Sequence, residues 1–316
     1  MKTFKTLFPY KIDIVLPDNI AELIELKPFN GLTDSSRSAS GFAIIGDDFR
    51  SVVSDGRVLV KYVSASRTAN AAAVKQLTNE RIDSAIAAGR DINENVKKEL
   101  EEQAYNEIIR YAPISTWSAY LLICPSEHFI FAAGGNAKKC EEALSLLRHT
   151  LGSLPVLPWG FGGIESRMIT SHLTSADPDA YKLPENLAIS RFGKTVVTGT
   201  GEDTSLKLTL DGVRNDTKEA KALIEGMAVR AAEMSLVERP ANGQIKNLAD
   251  FVLHLPLSGN PHLKRFDYDN DDPRYESAET EQHRCAVEML LVAKTTTQIL
   301  KSLESFFGVS DDDDQE

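Results

Sequence analysis

Apolar residues recur around Phe4, Leu7, Tyr10, Ile12 and Ile14, a near-alternating pattern that predicts a strand with one buried face. Asp18 then opens a short helix to about Lys27, and the Ser/Gly-rich stretch from Gly31 to Gly41 reads as a loop. Asp55-Gly56 is a hairpin-type turn signal ahead of the β-branched run Val58 to Val63. From Asn70 to Tyr111 the chain turns to Ala, Glu, Lys, Gln and Arg with one interruption at Gly89, which predicts a helical hairpin. Trp117 to Cys124 and His128 to Ala133 form the next strand pair. Asn136 caps a helix whose Cys140, Leu144, Leu147 and Leu151 share one face, and Gly152 occupies its C-cap.

Pro155 and Pro158, followed by Gly160, Gly162 and Gly163, stop that helix and read as a boundary between two lobes. Short strands follow at Thr195 to Thr198 and Leu206 to Leu210, then a helix from Thr217 to about Glu225 and an apolar run to Val237. Phe251 to Leu255 and Leu263 to Tyr268 flank the turn Ser258-Gly259-Asn260-Pro261. The last helix, Glu279 to Phe307, carries Cys285, Met289, Val292, Thr296, Ile299, Leu303 and Phe306 at alternating spacings of four and three, a seam for core packing or for a second copy. Strands and helices intermix without βαβ alternation, so the expected class is α+β: antiparallel sheets with covering helices. The expected organisation is an α+β lobe over 1–158 with the helical hairpin 70–111, a second α+β lobe over 164–308, and a disordered acidic tail, 309–316.

The composition fits that division. A chain of 316 residues, 42% hydrophobic and 26% charged, is long enough for two cores. Three scattered cysteines supply neither a disulfide framework nor a CxxC site, which points to a reducing, cytoplasmic location. No apolar run approaches the ~18 residues of a membrane span, and Pro9 and Lys11 break the N-terminal apolar stretch, so neither membrane nor export signal is expected. The net charge is −11, but five acids lie in Asp311 to Glu316, and without them it falls to −6. Between Gly56 and Arg90, six basic residues face only Glu80 and Asp83. Such segregation allows a polyanion-binding face on an acidic protein; ordinary variation along a surface also produces it.

Enzyme signatures are sparse. There is no GxSxG elbow, HExxH or phosphate loop, and the six histidines never fall at helical ligand spacing. Gly160 to Glu165 has only part of a dinucleotide-binding pattern and suits an interlobe turn. The run Asp267-Tyr268-Asp269-Asn270-Asp271-Asp272 fails as a calcium loop, because Asp272 stands where glycine is needed and Ala278 where the bidentate glutamate belongs. It leaves one enzymatic alternative, a metal-dependent nuclease using Asp267, Asp269, Asp271 and Asp272. Lys138 and Lys139 lie in the first turn of the Asn136-capped helix, where the macrodipole disfavours cations unless an anion is near; Glu141 and Glu142 compensate in part.

At this helix the chain resembles a known family. Ala137-Lys138-Lys139-Cys140-Glu141-Glu142-Ala143-Leu144-Ser145-Leu146-Leu147-Arg148, with Leu151-Gly152-Ser153-Leu154-Pro155-Val156 after it, is similar to the signature of the RdgC family of recombination-associated proteins. The likeness continues through Phe4-Lys5, Val74-Lys75-Gln76, Leu263-Lys264-Arg265 and the final helix. It departs at Ile109 to Pro113, around His172, and at Asp211 to Arg214, where Arg214 is the only cation. The resemblance implies a bacterial or phage protein that binds double-stranded DNA without sequence preference, with single-stranded DNA as a further candidate ligand. It further implies a nucleoid-associated homodimer closed into a ring, antagonism of RecA filaments, and no cofactor. The DNA-binding cations it selects are Lys75, Lys138, Lys139, Arg148, Lys264 and Arg265, although Lys75 and Arg148 are equally suited to pairing with neighbouring carboxylates. A third reading, a protein-interaction module without DNA affinity, draws on the divergent Tyr111 to Pro113.

Overall fold

The computed structural model describes residues 4–33, 36–46, 48–177, 179–199, 206–240, 243–269 and 277–308. The elements of the first half are β1 (Thr6–Ile12), α1 (Ile20–Glu25), β2 (Ser38–Ala43), β3 (Ser51–Ser54), β4 (Arg57–Arg67), α2 (Ala71–Ala87), α3 (Glu94–Tyr111), β5 (Ile114–Cys124), β6 (Phe129–Ala133) and α4 (Ala137–Leu151). The second half contributes β7 (Val156–Pro158), α5 (Ile164–Thr174), β8 (Leu187–Ile189), β9 (Thr195–Gly199), β10 (Lys207–Leu210), α6 (Lys218–Ile224), β11 (Met227–Glu238), β12 (Lys246–His254), β13 (His262–Tyr268) and α7 (Glu281–Phe307). The class is α+β.

All strands join one antiparallel sheet in the order β10-β9-β11-β12-β13-β1-β6-β5-β4-β2, with β3 on β4, β7 on β1 and β8 on β11. The first strand is the joint between the halves: Leu7 pairs with Leu263 of β13 on one side and with Ala133 of β6 on the other. Pro155 to Pro158 do more than break a helix. Val156–Pro158 adds a short strand along β1, Val156 opposite Ile12, and so ties the start of the second half to the first strand.

Each face of the sheet is treated differently. On one, α5, α6 and α7 close a core that runs through both halves, with Leu7, Leu122, Phe131, Trp159, Phe251, Leu263, Met289 and Leu303 buried together. On the other, α1 and α4 cover only the first half, where Phe8, Tyr10, Ile130, Leu121, Ile24 and Leu144 form a second core. The α7 seam is therefore core: Met289, Val292, Ile299 and Leu303 are fully buried.

The caps follow their chemistry. Asn70, Asn93, Asn136 and Thr280 each accept from backbone N–H groups of the first turn of their helices, and Gly152 and Gly308 take positive φ at the C-termini of α4 and α7. Besides the short strands β7 and β8, two elements depart from expectation. Ser38–Ala43 is a strand, because pairing with β4 supplies the order that Ser-Ala-Ser-Gly lacks by propensity. Gly41 permits it: a Cβ there would lie 2.5–2.6 Å from the Pro28 and Phe29 backbone. The helix Ile164–Thr174 has too mixed a pattern to stand out, yet it packs Ile169 and Leu173 onto β11. The tail 309–316 lies outside the described residues.

Candidate nucleic-acid interface

Beyond β1, on the face that α1 and α4 cover in the first half, no described helix covers β13, β12, β11, β9 and β10. Alternation assigns the outward positions, because Leu263, Leu253, Ala232 and Val197 point into the core. What remains lines an open groove of about 550 Å³, with Val196, Ala231, Val252 and Leu257 as an apolar floor and Lys194, Lys207, Arg230, Lys264 and Arg265 around it. At about 4.8 Å per strand, the array spans about 19 Å across five strands.

Lys264 and Arg265 share this side through a bulge. The β12–β13 register shifts between Asp250 and Val252, and Arg265 takes a positive φ of 51°. Left-handed backbone is uncommon for a residue with a side chain, and a bulge re-aims side chains that strict alternation would separate. Among the described residues, none of the five cations has a carboxylate within ion-pair distance; Arg230 Nε donates to Thr198 Oγ1 at 2.9 Å. Acids do occur on this face: Glu233 borders the groove opposite Val252, its carboxylate accepting from Lys194 N–H, while Asp250 and Asp267 lie further along the strands, Asp250 engaged by Ser235 and Asn247.

Three rings cross the groove's inner end. Phe8 stacks on His262 at 4.5 Å, and His262 meets His254 at 4.6 Å. His262 Nδ1 lies 3.1 Å from the Asn260 carbonyl, whereas His254 Nδ1 is buried without a partner. Burial, His262, Lys264 and Lys207 together push His254 down to about 4; burial and Lys264 also lower His262, against its hydrogen bond to Asn260. The rings are thus neutral at physiological pH in a cationic environment.

The residues selected from the sequence divide accordingly. Lys264 and Arg265 belong to the groove. Lys138 and Lys139 begin α4 on the same sheet face: Ala133, just before them, is in line with Leu7 and Leu263, two strand spacings or about 10 Å away. Asn136 Oδ1 accepts from Lys139 N–H at 3.0 Å, and Lys139 Nζ lies 5.1 Å from the centre of the Trp117 ring. The aromatic face thus meets part of the need that an anion would meet, leaving Lys138 exposed and unpaired. Arg148 sits at the far end of α4, about 15 Å from Lys138, and donates Nε to the Leu154 carbonyl. Lys75 is exposed on α2, apart from the groove.

Most of the remaining charge of the Gly56 to Arg90 stretch is spent internally. Arg57 pairs with Asp55 at 2.5 Å and with Glu127, Arg81 with Glu107 across the helical hairpin, and Arg90 with Glu99 at 3.1 Å. Lys61 lies over Tyr120, and Arg67 donates to the Thr33 carbonyl. Conversely, Lys194, Lys207 and Arg230 escaped selection from sequence. Only Arg230, a lone cation within the apolar run Met227 to Val237, carried a local signal.

The acidic run is only partly described: Asp271 and Asp272 lie outside the described residues. Asp269 pairs with Lys246 at 2.8 Å, and Asp267 stands opposite Asp250 across the ladder. Among the described residues no group of three or more His, Cys, Asp or Glu side chains could hold a metal ion. No described helix is long and apolar enough to cross a membrane.

A sheet insulated on one face and left bare and cationic on part of the other defines an α+β protein that presents a rigid array of positive charge. Residues 3–201 match the family profile described as "Putative exonuclease, RdgC". The chain belongs to the RdgC family. It is similar to the recombination-associated protein RdgC of Tolumonas auensis, 30% identical over 132 residues, 41% of this chain and 44% of that protein. The protein of the same description from Pseudoalteromonas translucida is 24% identical over 249 residues, 77% of this chain and 75% of the relative. That from Psychromonas ingrahamii is 25% identical over 134 residues, 42% and 43%. The chain thus aligns with less than half the length of two of these relatives and three quarters of the third.

Proposed function

We propose that this protein takes part in DNA recombination by binding duplex DNA through its phosphates, without reading sequence, along the open sheet face and the N-terminus of α4. The observation that carries the reading is the set of five cations on the bare face, none satisfied by a carboxylate, four of them on strands and Lys194 in the turn that leads into β9. Phosphate contacts set position and supply sequence-independent affinity. Lys138 extends the path and Lys139 supports it from the Trp117 face, while Lys75 and Arg148 are peripheral to it. Acting by occupancy, as a homodimer closed into a ring on nucleoid DNA, the protein would obstruct RecA filament growth or strand exchange; the relatives' description as recombination-associated supports the part in recombination. Binding titrations with unrelated duplexes test the reading: log affinity should fall with log salt by roughly 0.9 per phosphate contacted, equally for each sequence. No binding at low ionic strength refutes it. Comparing linear with covalently closed circles tests the ring, which must open to load on a circle.

The family description favours one second reading, a nuclease. Asp267 and Asp269, with Asp271 and Asp272, would then hold magnesium or manganese. Degradation of labelled DNA with either metal, abolished by Asp269→Ala, would establish it; intact DNA leaves the binding reading.

A further inference from the structure

We infer that the His254–His262 pair couples phosphate binding on the open face to proton uptake, so that DNA binding tightens as the pH falls below neutrality; this rests on the reading of that face as the phosphate-binding surface. The geometry is specific. The two imidazole centres lie 4.6 Å apart, His254 lining the groove and the buried His262 backed by Phe8 at 4.5 Å, and His254 Nδ1 is buried with no hydrogen-bond partner. In the Nε2–H tautomer this nitrogen takes a proton without breaking an existing bond.

The charges around the pair explain why it stays neutral in the free protein. Lys207 of β10 and Lys264 of β13 raise the cost of a further positive charge, adding to burial, which is the larger cause. Lys194 in the turn before β9, Arg230 on β11 and Arg265 on β13 complete the cationic side. On the acidic side, Glu233 of β11 lies opposite Val252 and receives the Lys194 N–H, while Asp250 of β12 is bonded to Ser235 and Asn247. Glu165, in the first turn of α5, is occupied by the N–H groups of Phe161 and Gly163. None of these acids is bonded to either ring.

Phosphates drawn to Lys207 and Lys264, which flank the pair from β10 and β13, shift the balance. They cancel the lysine repulsion, which adds to burial in keeping the rings neutral, and offer a negative charge to an imidazolium. Because protonation is then easier in the complex than in the free protein, binding takes up protons and lower pH favours the complex. If His254 rises from about 4 to its ordinary value of about 6.5 in the complex, affinity increases at most about thirtyfold between about pH 7.5 and 5; partial recovery gives on the order of tenfold.

The test is fluorescence anisotropy of the full chain with a rhodamine-labelled duplex at constant ionic strength across this pH range, with His254→Gln and His262→Gln in parallel. Calorimetry in two buffers of different ionisation enthalpy counts the protons exchanged by the unsubstituted protein near pH 6. Expected are roughly tenfold tightening and net proton uptake for the parent, and less than about twofold tightening for His254→Gln, the other surface histidines being common to all. An unchanged pH slope in a folded His254→Gln, or no proton uptake by the parent, overturns the coupling while leaving the DNA-binding face intact. Absence of binding at every pH overturns the face and the coupling together.

Discussion

Replacing Lys207 and Lys264 together by alanine removes two of the five groove cations while leaving the sheet undisturbed. Neither ammonium pairs with a carboxylate among the described residues, and Lys207 is exposed on the edge strand, so stability should stay within about 0.5 kcal/mol of the parent. Binding should change much more. If each of the five cations neutralises one phosphate, the parent's salt slope is about −4.5, and raising salt from about 50 to 200 mM weakens binding about 500-fold. With three contacts the slope is about −2.7 and the loss about 40-fold. Anisotropy titrations over that range with two unrelated duplexes resolve a difference of this size. A variant whose slope equals the parent's would show that the phosphates pass elsewhere, and a loss confined to one duplex would show that sequence is being read.

Further outcomes follow from other parts of the structure. Lys138→Glu with Lys139→Glu should weaken binding equally for unrelated duplexes in the same titration; of the single changes, Lys138→Glu should have the larger effect, because Lys139 rests on Trp117. Trp159 is fully buried, donates Nε1 to Glu304 at 2.9 Å and touches Phe161 and Phe307, so Trp159→Ala should cost about 3–5 kcal/mol in urea unfolding. His254 and His262 are held below their unfolded values, so they favour the unfolded chain increasingly as pH falls from about 6.5 toward 4. Melting of the DNA-free protein across that window should therefore be less acid-sensitive in His254→Gln than in the parent. Burial pushes all three thiols up, Cys140 to about 12 and Cys285 to about 11, and only Cys285 is partly exposed. Iodoacetamide at pH 8 should slowly alkylate Cys285 alone in the folded chain, as peptide mass spectrometry would show.

Sequence by itself determined the local elements. Asn136 announces a helix start because its side chain can bond the free N–H groups of a first turn, and Gly152 announces a stop because it accepts positive φ. The α7 seam was legible for the same reason: a four-three spacing reports burial on one side. Such patterns state that a face is covered but not by what, so the joining of Leu7 to both Leu263 and Ala133 belongs to the tertiary structure. Charge behaves likewise. The basic stretch from Arg57 to Arg90 looked available in one dimension, yet folding sets Glu127, Glu107 and Glu99 against it. Lys194, Lys207 and Arg230 looked incidental until the sheet aligned them with Lys264 and Arg265. Whether a cation is spent or free depends on neighbours supplied by distant segments, and the helices that cover this sheet face end where the second half begins.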